Sequence, residues 1–391
     1  MKTLCEKYAR KLTAQGLCAE GEPLVGGLDA DLVWNREDPR AEGLAKVFDG
    51  LSINSLVCAR PAEPYATLID YLAKTHPGGI RPEDTETRTF LHDIPVASEL
   101  TAETVVAGLK KRKAVIIPGQ GIVSSGTVSP EQGFVFYSST VFACFVLFFS
   151  EYLAAARRGD IPPALQAAFE RVADNLPTPR TDLPNLAEGP LPVEDEVLAA
   201  MAEAGRAVVD YGLVDSFFGN ISYRLGDTIH VSQTGSSLDE LEGCIDPCPL
   251  DGSATNGMTA SSELSAHEDV YSRSDARCIL HGHPKFAVIL SMDCDKADCA
   301  NRGRCHVACT ECRTVEGVPI VPGEVGTGPT GLCNTLPPAL AASGAAIVHG
   351  HGVFTLGDTD FNQAFRRLLE TETLCREAYF RKLAQLDARS R

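Results

Sequence analysis

Positive charge is scarce in this sequence. Its 391 residues carry 35 Lys and Arg against 52 Asp and Glu, a formal net charge of −17. A nucleic acid or an anionic membrane surface, which needs clustered cations, is thereby excluded as the main partner. A small phosphorylated ligand needs only a local pocket of donors and stays open. The N-terminal stretch MKTLCEKYARKLTAQGL has the spacing of an amphipathic helix and lacks the apolar core and small-residue cleavage site of an export signal. No unbroken apolar run of spanning length appears either. The most apolar stretch, Gly133 to Phe149, is short and is interrupted by Ser138, Ser139 and Thr140, which favours a buried or interface helix over a membrane span. The expected location is the cytoplasm. There the 14 cysteines point to burial, metal or redox chemistry before structural disulfides.

What is present is a soluble composition, 44% hydrophobic with mean hydropathy −0.03, over a length that suits two domains. A Pro-rich stretch at 157–192, with one short helical piece at Leu165 to Val172, reads as the linker between a first domain at 1–156 and a second at 193–391. The second opens with a helix from Val193 to Tyr211, stopped at Gly212. Alternating apolar residues then predict a β-hairpin, with Ile221 and Tyr223 on one arm and Ile229 and Val231 on the other. A helix at Ser261 to Tyr271 follows. Short apolar strands come next, Arg277 to Leu280 leading into HGHP and Ala345 to Val348 leading into HGHG. The chain closes with a long helix, Phe361 to Leu386.

The two halves resemble each other. Displaced by 223 positions, SSELSAHEDVYSRSDARCILHGHP falls without a gap on DPRAEGLAKVFDGLSINSLVCARP; displaced by 231, AAIVHGHGVFTLG falls on AVIIPGQGIVSSG. Arg40 then stands opposite Glu263, Cys58 opposite His281, Arg60 opposite His283 and Gln120 opposite His351. Two arginines, which stay protonated, cannot replace an imidazole and a carboxylate on a metal. The preceding helix aligns at an offset of 196, so 27 residues are missing from the first half; these are expected to be the hairpin with the GNIS and Thr-Gly elements, so that the anion loops are lost with the metal site. The first half therefore reads as a degenerate copy without metal ligands.

His281 and His283 lie two apart at the end of a strand, so both imidazoles point to one side. Neutral imidazole is a good zinc ligand, although an HxH pair alone fits two hydrogen-bonded histidines equally well. Two features tip the balance. His351 lies between Gly350 and Gly352 in a second strand-end motif, where the backbone must come close to something. Glu263 starts a helix after Thr259, Ser261 and Ser262, which offer capping hydroxyls.

SSE, a helix with His267 and Tyr271, HGHP and HGHGVFTLG together resemble the class II aldolase/adducin family over about Val193 to Leu383. That family includes fuculose-phosphate and rhamnulose-phosphate aldolases, ribulose-phosphate 4-epimerase and methylthioribulose-phosphate dehydratase. The resemblance implies an α/β fold, a three-layer α/β/α domain with a mainly antiparallel sheet, here expected twice. It implies Zn2+ or another divalent metal held by His281, His283 and His351, with Glu263 as the ligand that swings off to act as catalytic base. It implies a substrate phosphate bound by Gly219 and Asn220, Thr234 and Gly235, and Ser261 and Ser262. His349 has no ligand role in the motif and is expected behind the ligands or on the substrate side. The implied chemistry is that of a lyase acting on a small hydroxy-carbonyl compound through a metal-stabilised enediolate, with epimerase, dehydratase or decarboxylase activity, or a non-catalytic adducin-like binding role, as alternatives.

Two segments depart from the pattern. The sugar-phosphate aldolases take a proton-donating tyrosine from the segment after HxHP, and none occurs here between Ser291 and Gly326. That segment instead holds Cys294, Cys299, Cys305, Cys309 and Cys312, with Cys244 and Cys248 as a further pair. An iron–sulfur cluster, a second zinc site and plain reduced thiols all fit this spacing. Simple members of the family form rings of four. A tandem chain is accordingly expected to build the ring as a homodimer with pseudo-fourfold symmetry, the apolar Gly133–Phe149 helix being buried there.

Overall fold

A computed structural model of the chain describes residues 1–215, 217–296 and 298–390. It divides into two compact units, Met1–Thr178 and Pro179–Arg391. The stretch expected to be linker is thus shared between them. Its helical piece runs over Pro163–Asp174 and belongs to unit 1, where Phe169 stacks on Tyr152 at 3.5 Å between ring centroids.

Unit 1 runs α1 (Lys2–Ala14), β1 (Leu24–Leu28), β2 (Leu32–Trp34), α2 (Arg40–Gly50), β3 (Ser55–Ala59), α3 (Tyr65–Thr75), α4 (Thr85–Leu91), α5 (Ala102–Leu109), β4 (Ala114–Ile117), β5 (Gly121–Gly126), α6 (Pro130–Arg158) and α7 (Pro163–Asp174). Its five strands form an antiparallel sheet in the order β2-β1-β3-β5-β4. Helices α2 and α5 cover one face around Leu44, Val47, Leu56, Cys58, Val105 and Val123. Helices α1, α3 and α6 lie on the other side. Helix α6 is long and apolar enough to cross a bilayer, but 89% of that apolar window is buried, against β3, β5, α1, α3 and α4. Its apolar character is therefore accounted for inside its own unit, where it forms the core, and it does not call for a partner copy.

Unit 2 runs α8 (Glu194–Asp210), β6 (Asn220–Leu225), β7 (Thr228–Ser232), β8 (Ile245–Pro249), a single 3-10 turn at Asn256–Met258, α9 (Leu264–Ser272), β9 (Cys278–Gly282), α10 (Lys285–Met292), α11 (Cys305–Ala308), β10 (Arg313–Val315), β11 (Val318–Val321), α12 (Leu332–Ser343), β12 (Ala345–Val348), β13 (Gly352–Gly357) and α13 (Phe361–Ser390). Eight strands pair in the order β10-β11-β12-β13-β9-β6-β7-β8, all antiparallel except β11 with β12. Alternation along the strands sends Ile279, Val348, Phe354 and Leu356 towards α9 and α12. On the other face Thr355 hydrogen-bonds Ala364 O of α13 at 2.9 Å. The result is a sheet between two helical layers.

The strand registers of the two units agree. Cys58 pairs with Val123 as His281 pairs with Phe354, and Ile117 with Gly121 as Val348 with Gly352. These are the pairs that displacements of 223 and 231 connect. Leu24 pairs with Cys58 as Asn220 pairs with His281, at a displacement of 196. A hairpin therefore does stand in unit 1, as β1 and β2, contrary to the expectation that it was lost. The missing residues lie after it, where unit 2 has β8 and the turn that follows. LVGGL and LVW show no period-two alternation of apolar and polar residues, so the sequence pattern does not mark this hairpin.

Candidate metal centre

The ends of β9 and β13 and the start of α9 meet at one buried point. His281 lies on β9, His283 just beyond it, and His351 immediately before β13; all three are almost fully buried. His283 Nε2 lies 3.0 Å from His281 Nε2, which lies 3.3 Å from His351 Nε2. Among the described residues these three form the one group of three or more potential ligands whose donor atoms all lie within 4.8 Å of one another. Glu263 is the N-cap residue of α9, one position ahead of the first helical residue, and its backbone NH donates to Ser261 Oγ at 3.3 Å. Its carboxylate oxygens stand 3.5 Å from His281 Nε2 and 3.4 Å from His351 Nε2.

Local packing sets the rings. Phe354 stacks on His281 at 3.8 Å and Phe218 on His283 at 5.2 Å, each nearly parallel. Gly352 must be glycine, because a Cβ there would stand 2.8 Å from His281 Cε1 and 2.9 Å from His283 Cδ2. Gly219 has φ +81°, and a Cβ on it would fall 2.4 Å from the His281 carbonyl oxygen, so this glycine also lets the hairpin close on β9.

The donor set fits a divalent cation. His281 Nδ1 faces Val353 O at 3.1 Å. A carbonyl only accepts, so Nδ1 carries the hydrogen and Nε2 turns a bare lone pair to the cluster. Burial lowers the His281 pKa to about 4 against the pull of Glu263, and lowers that of His283 well below its ordinary value. Both imidazoles are thus neutral near pH 7. Burial works against ionisation of Glu263, while the Asn220 amide, donating to Oε2 at 2.6 Å, favours the carboxylate. Its Oε1 is buried and makes no hydrogen bond among the described residues. The edge of a tetrahedron with metal–nitrogen bonds of about 2.0–2.1 Å is about 3.4 Å long, close to the spacings found. The three imidazoles with a carboxylate oxygen left over are a zinc-type set.

The residues expected around a phosphate divide. A bridge between Gln233 and Ala260 brings Thr234 and Gly235 beside Ser261 and Ser262. Ser262 is exposed, and Thr234 Oγ1 donates to Ala260 O at 2.8 Å. The Asn220 side chain is already engaged. Its Nδ2 donates to Glu263 Oε2 at 2.6 Å, and its Oδ1 accepts from His267 Nε2 at 2.7 Å. His349 stays outside the group of three.

Cys294, Cys299, Cys305 and Cys309 are half-buried, Cys312 is exposed, and all are free. Among the described residues they are not gathered into a group of the histidine kind. Cys248 lies in the apolar core of unit 2, where burial pushes its thiol up to about 11, and Cys244 is half-buried.

Residues 199–379 match the family model described as class II aldolase and adducin N-terminal domain. This segment is similar to the class II aldolase and adducin family. No curated protein matches the chain. Among solved structures it is similar to an L-fuculose-1-phosphate aldolase of Thermus thermophilus, at 22% identity and TM-score 0.41, with 49% of this chain and 98% of that chain covered. It is also similar to a sugar-phosphate aldolase of Thermotoga maritima, at 18% identity and TM-score 0.36, with 49% and 96% covered. The class II aldolase domain of a Thermoplasma acidophilum protein matches at 13% identity and TM-score 0.33, with 49% and 97% covered. The histidine cluster and Glu263 lie within the matched segment.

Proposed function

We propose that unit 2 is a divalent-metal-dependent lyase of aldolase type, acting on a small, phosphorylated hydroxy-carbonyl compound. The observation that supports this reading most is the buried convergence of the His281, His283 and His351 Nε2 atoms beside Glu263. A divalent cation held there by the three imidazoles would polarise a hydroxy-carbonyl group and stabilise the negative charge that develops on its oxygens. Glu263 is held by Asn220 at Oε2, and its Oε1 is left to exchange a proton with the substrate. The start of α9, with Ser261 and Ser262, and the adjoining Thr234–Gly235 turn offer donors to a phosphate.

Unit 1 is, in this reading, a degenerate copy of the same domain, and two chains assemble the pseudo-fourfold ring. The shared strand registers support the duplication. Static light scattering giving about twice 41.8 kDa would agree with the dimer; a monomer would remove the ring and leave the duplication. The activity is tested by metal analysis of protein purified without chelators, followed by aldol-cleavage assays on short phosphorylated hydroxy-carbonyls with and without zinc. One metal ion per chain and a chelator-sensitive cleavage are expected. Protein that binds no divalent metal at neutral pH would sink the proposal.

A further inference from the structure

Behind Glu263 the polar side chains form a line. Tyr271 OH lies 2.8 Å from Ser222 Oγ, which lies 2.7 Å from His267 Nδ1. His267 Nε2 lies 2.7 Å from Asn220 Oδ1, and Asn220 Nδ2 lies 2.6 Å from Glu263 Oε2. Every member is at least nine-tenths buried. The line joins two elements: Asn220 and Ser222 share one face of β6, while His267 and Tyr271, four apart, share one face of α9.

The carboxylate dictates the direction of every bond. A carboxylate only accepts, so the Asn220 amide nitrogen must face Glu263 and its oxygen must face His267. That oxygen only accepts, so His267 carries its hydrogen on Nε2. A neutral imidazole has one N–H, so Nδ1 is bare and accepts from the Ser222 hydroxyl. Ser222 in turn accepts from Tyr271. Burial holds the His267 pKa at about 4, consistent with the neutral ring this order requires.

Unit 1 supplies an internal comparison. The same displacements set Leu24 opposite Asn220, Gly26 opposite Ser222, Leu44 opposite His267 and Phe48 opposite Tyr271. Gly26 pairs with Leu56 as Ser222 pairs with Ile279, so the correspondence holds in the sheet. Where Glu263 has given way to Arg40, all four polar members have given way to groups with no side-chain donor or acceptor, and Leu24 and Leu44 belong to an apolar core. A line that served packing alone had no reason to vanish together with the carboxylate at its end.

We propose that Tyr271, Ser222, His267 and Asn220 are positioning residues, a one-directional hydrogen-bond chain that pins Glu263 by Oε2 and leaves Oε1 for the metal or for a proton. The inference rests on the metal reading of unit 2. Its first test is 15N NMR of the full-length chain labelled with 15N-histidine. His267, assigned by its absence in H267Q, is expected to be protonated at Nε2 and bare at Nδ1; the opposite tautomer would overturn the chain's direction and the proposal with it. The second test is zinc affinity by chelator competition. H267L, which removes the donor to Asn220 but carries the side chain unit 1 has at this place, is expected to bind zinc about 10–100-fold more weakly. H267Q, which keeps an N–H donor at the ε position, should recover most of that loss. Equal zinc affinity in wild type and H267L, or a loss that H267Q does not recover, sinks the positioning role. A wild-type chain that binds no zinc would instead remove the metal reading itself, a result the variants cannot mimic.

Discussion

In each unit the strand that pairs with the hairpin ends beside the start of a helix, and the residues there differ in kind. Unit 2 places His281 on that strand, His283 beyond it and Glu263 at the helix start, all buried and with no cationic side chain among them. Unit 1 places Cys58, Arg60 and Arg40 there, and Arg40 is itself the cation. Its guanidinium takes both oxygens of Asp38 at 2.9 Å and Glu22 at 2.8 Å and lies against the Cys58 thiol, while Glu22 also accepts from the backbone NH of Arg60 at 2.9 Å. One frame thus accommodates two electrostatic solutions. A fixed guanidinium saturated by carboxylates completes unit 1 without outside help. A cluster of three imidazoles with one spare carboxylate oxygen gives unit 2 the donors that the proposed metal site requires.

The largest effect expected from this contrast is on metal content. His281→Ala should bring bound zinc from one per chain to near zero and lower cleavage activity roughly a thousandfold, the equivalent of several kcal/mol of charge stabilisation. Cys58→Ala, at the corresponding place in unit 1, should leave both unchanged. Plasma emission analysis of the two purified variants decides the matter; a Cys58→Ala chain that loses metal would place a ligand in unit 1 and end the contrast.

Acid should separate the units next. In metal-free protein His267 and His281 have folded pKa values near 4 against an ordinary 6.5, and burial holds His283 well below its ordinary value too. Unfolded chains therefore bind protons that the folded unit refuses, and unit 2 loses stability as pH falls from about 6.5 towards 4. Glu372, buried and raised to about 7, and Glu268, raised by burial, run the other way, but they are two groups against three. In unit 1 the corresponding positions hold Leu44, Cys58 and Arg60, none of them an imidazole. Its buried Asp84, raised to about 6, is more stable protonated, so this group adds stability as pH falls through 6. Calorimetry of chelated protein should show the unit 2 transition falling by several degrees between pH 6.5 and 4 while that of unit 1 holds or rises. Parallel shifts would mean that the imidazoles are not buried as described.

Much of this was legible in the sequence. Two imidazoles two apart at a strand end, a third between glycines and a glutamate at a helix start carry their geometry in their spacing, and the displacements of 223 and 231 anticipate the strand registers. The rest was hidden for physical reasons. The positioning chain joins β6 to α9 through side chains 45 to 49 positions apart, and each member alone passes for a core or capping residue. Asn220 was expected to face a phosphate, because a Gly-Asn turn at a strand start suits an anion. The sequence could not show that its amide is enclosed between Glu263 and His267. Helix α6 looked too apolar for one unit because the sequence does not reveal how many helices surround it.

A smaller effect tests the guanidinium. Asp38 is held down at about 2, first by its hydrogen bond from Arg40, so the pair stabilises unit 1 above the ordinary carboxyl pKa of 3.8 and the contribution is lost as pH falls through about 2. The Arg40 side chain is 26% exposed and that of Asp38 5%, which places the loss in Arg40→Ala at about 1–2 kcal/mol, below that of a fully buried pair. Urea unfolding should show this deficit at pH 7 and a much smaller one near pH 2. A deficit independent of pH would mean that Arg40 acts by packing its stem.

The smallest effect lies at the far end of the chain that holds Glu263. Tyr271→Phe removes only the terminal hydroxyl, and Phe48 stands at the corresponding place in unit 1, so the ring itself is tolerated by this frame. Tyr271 OH also approaches Arg277 O at 3.4 Å, so the variant forfeits one good hydrogen bond and one long contact. The expected cost is about 0.5–1.5 kcal/mol of stability. Ser222 can still donate to His267 without it, so the bonds from Ser222 to Glu263 keep their direction. Zinc affinity and cleavage rate should then stay within about threefold of wild type, against the 10–100-fold loss in affinity expected for His267→Leu. The gradient between the two variants is the informative quantity. If Tyr271→Phe weakens zinc binding as much as His267→Leu does, the line acts through the packing of α9 on β6. If the loss shrinks with distance from Glu263, the line acts through its hydrogen bonds.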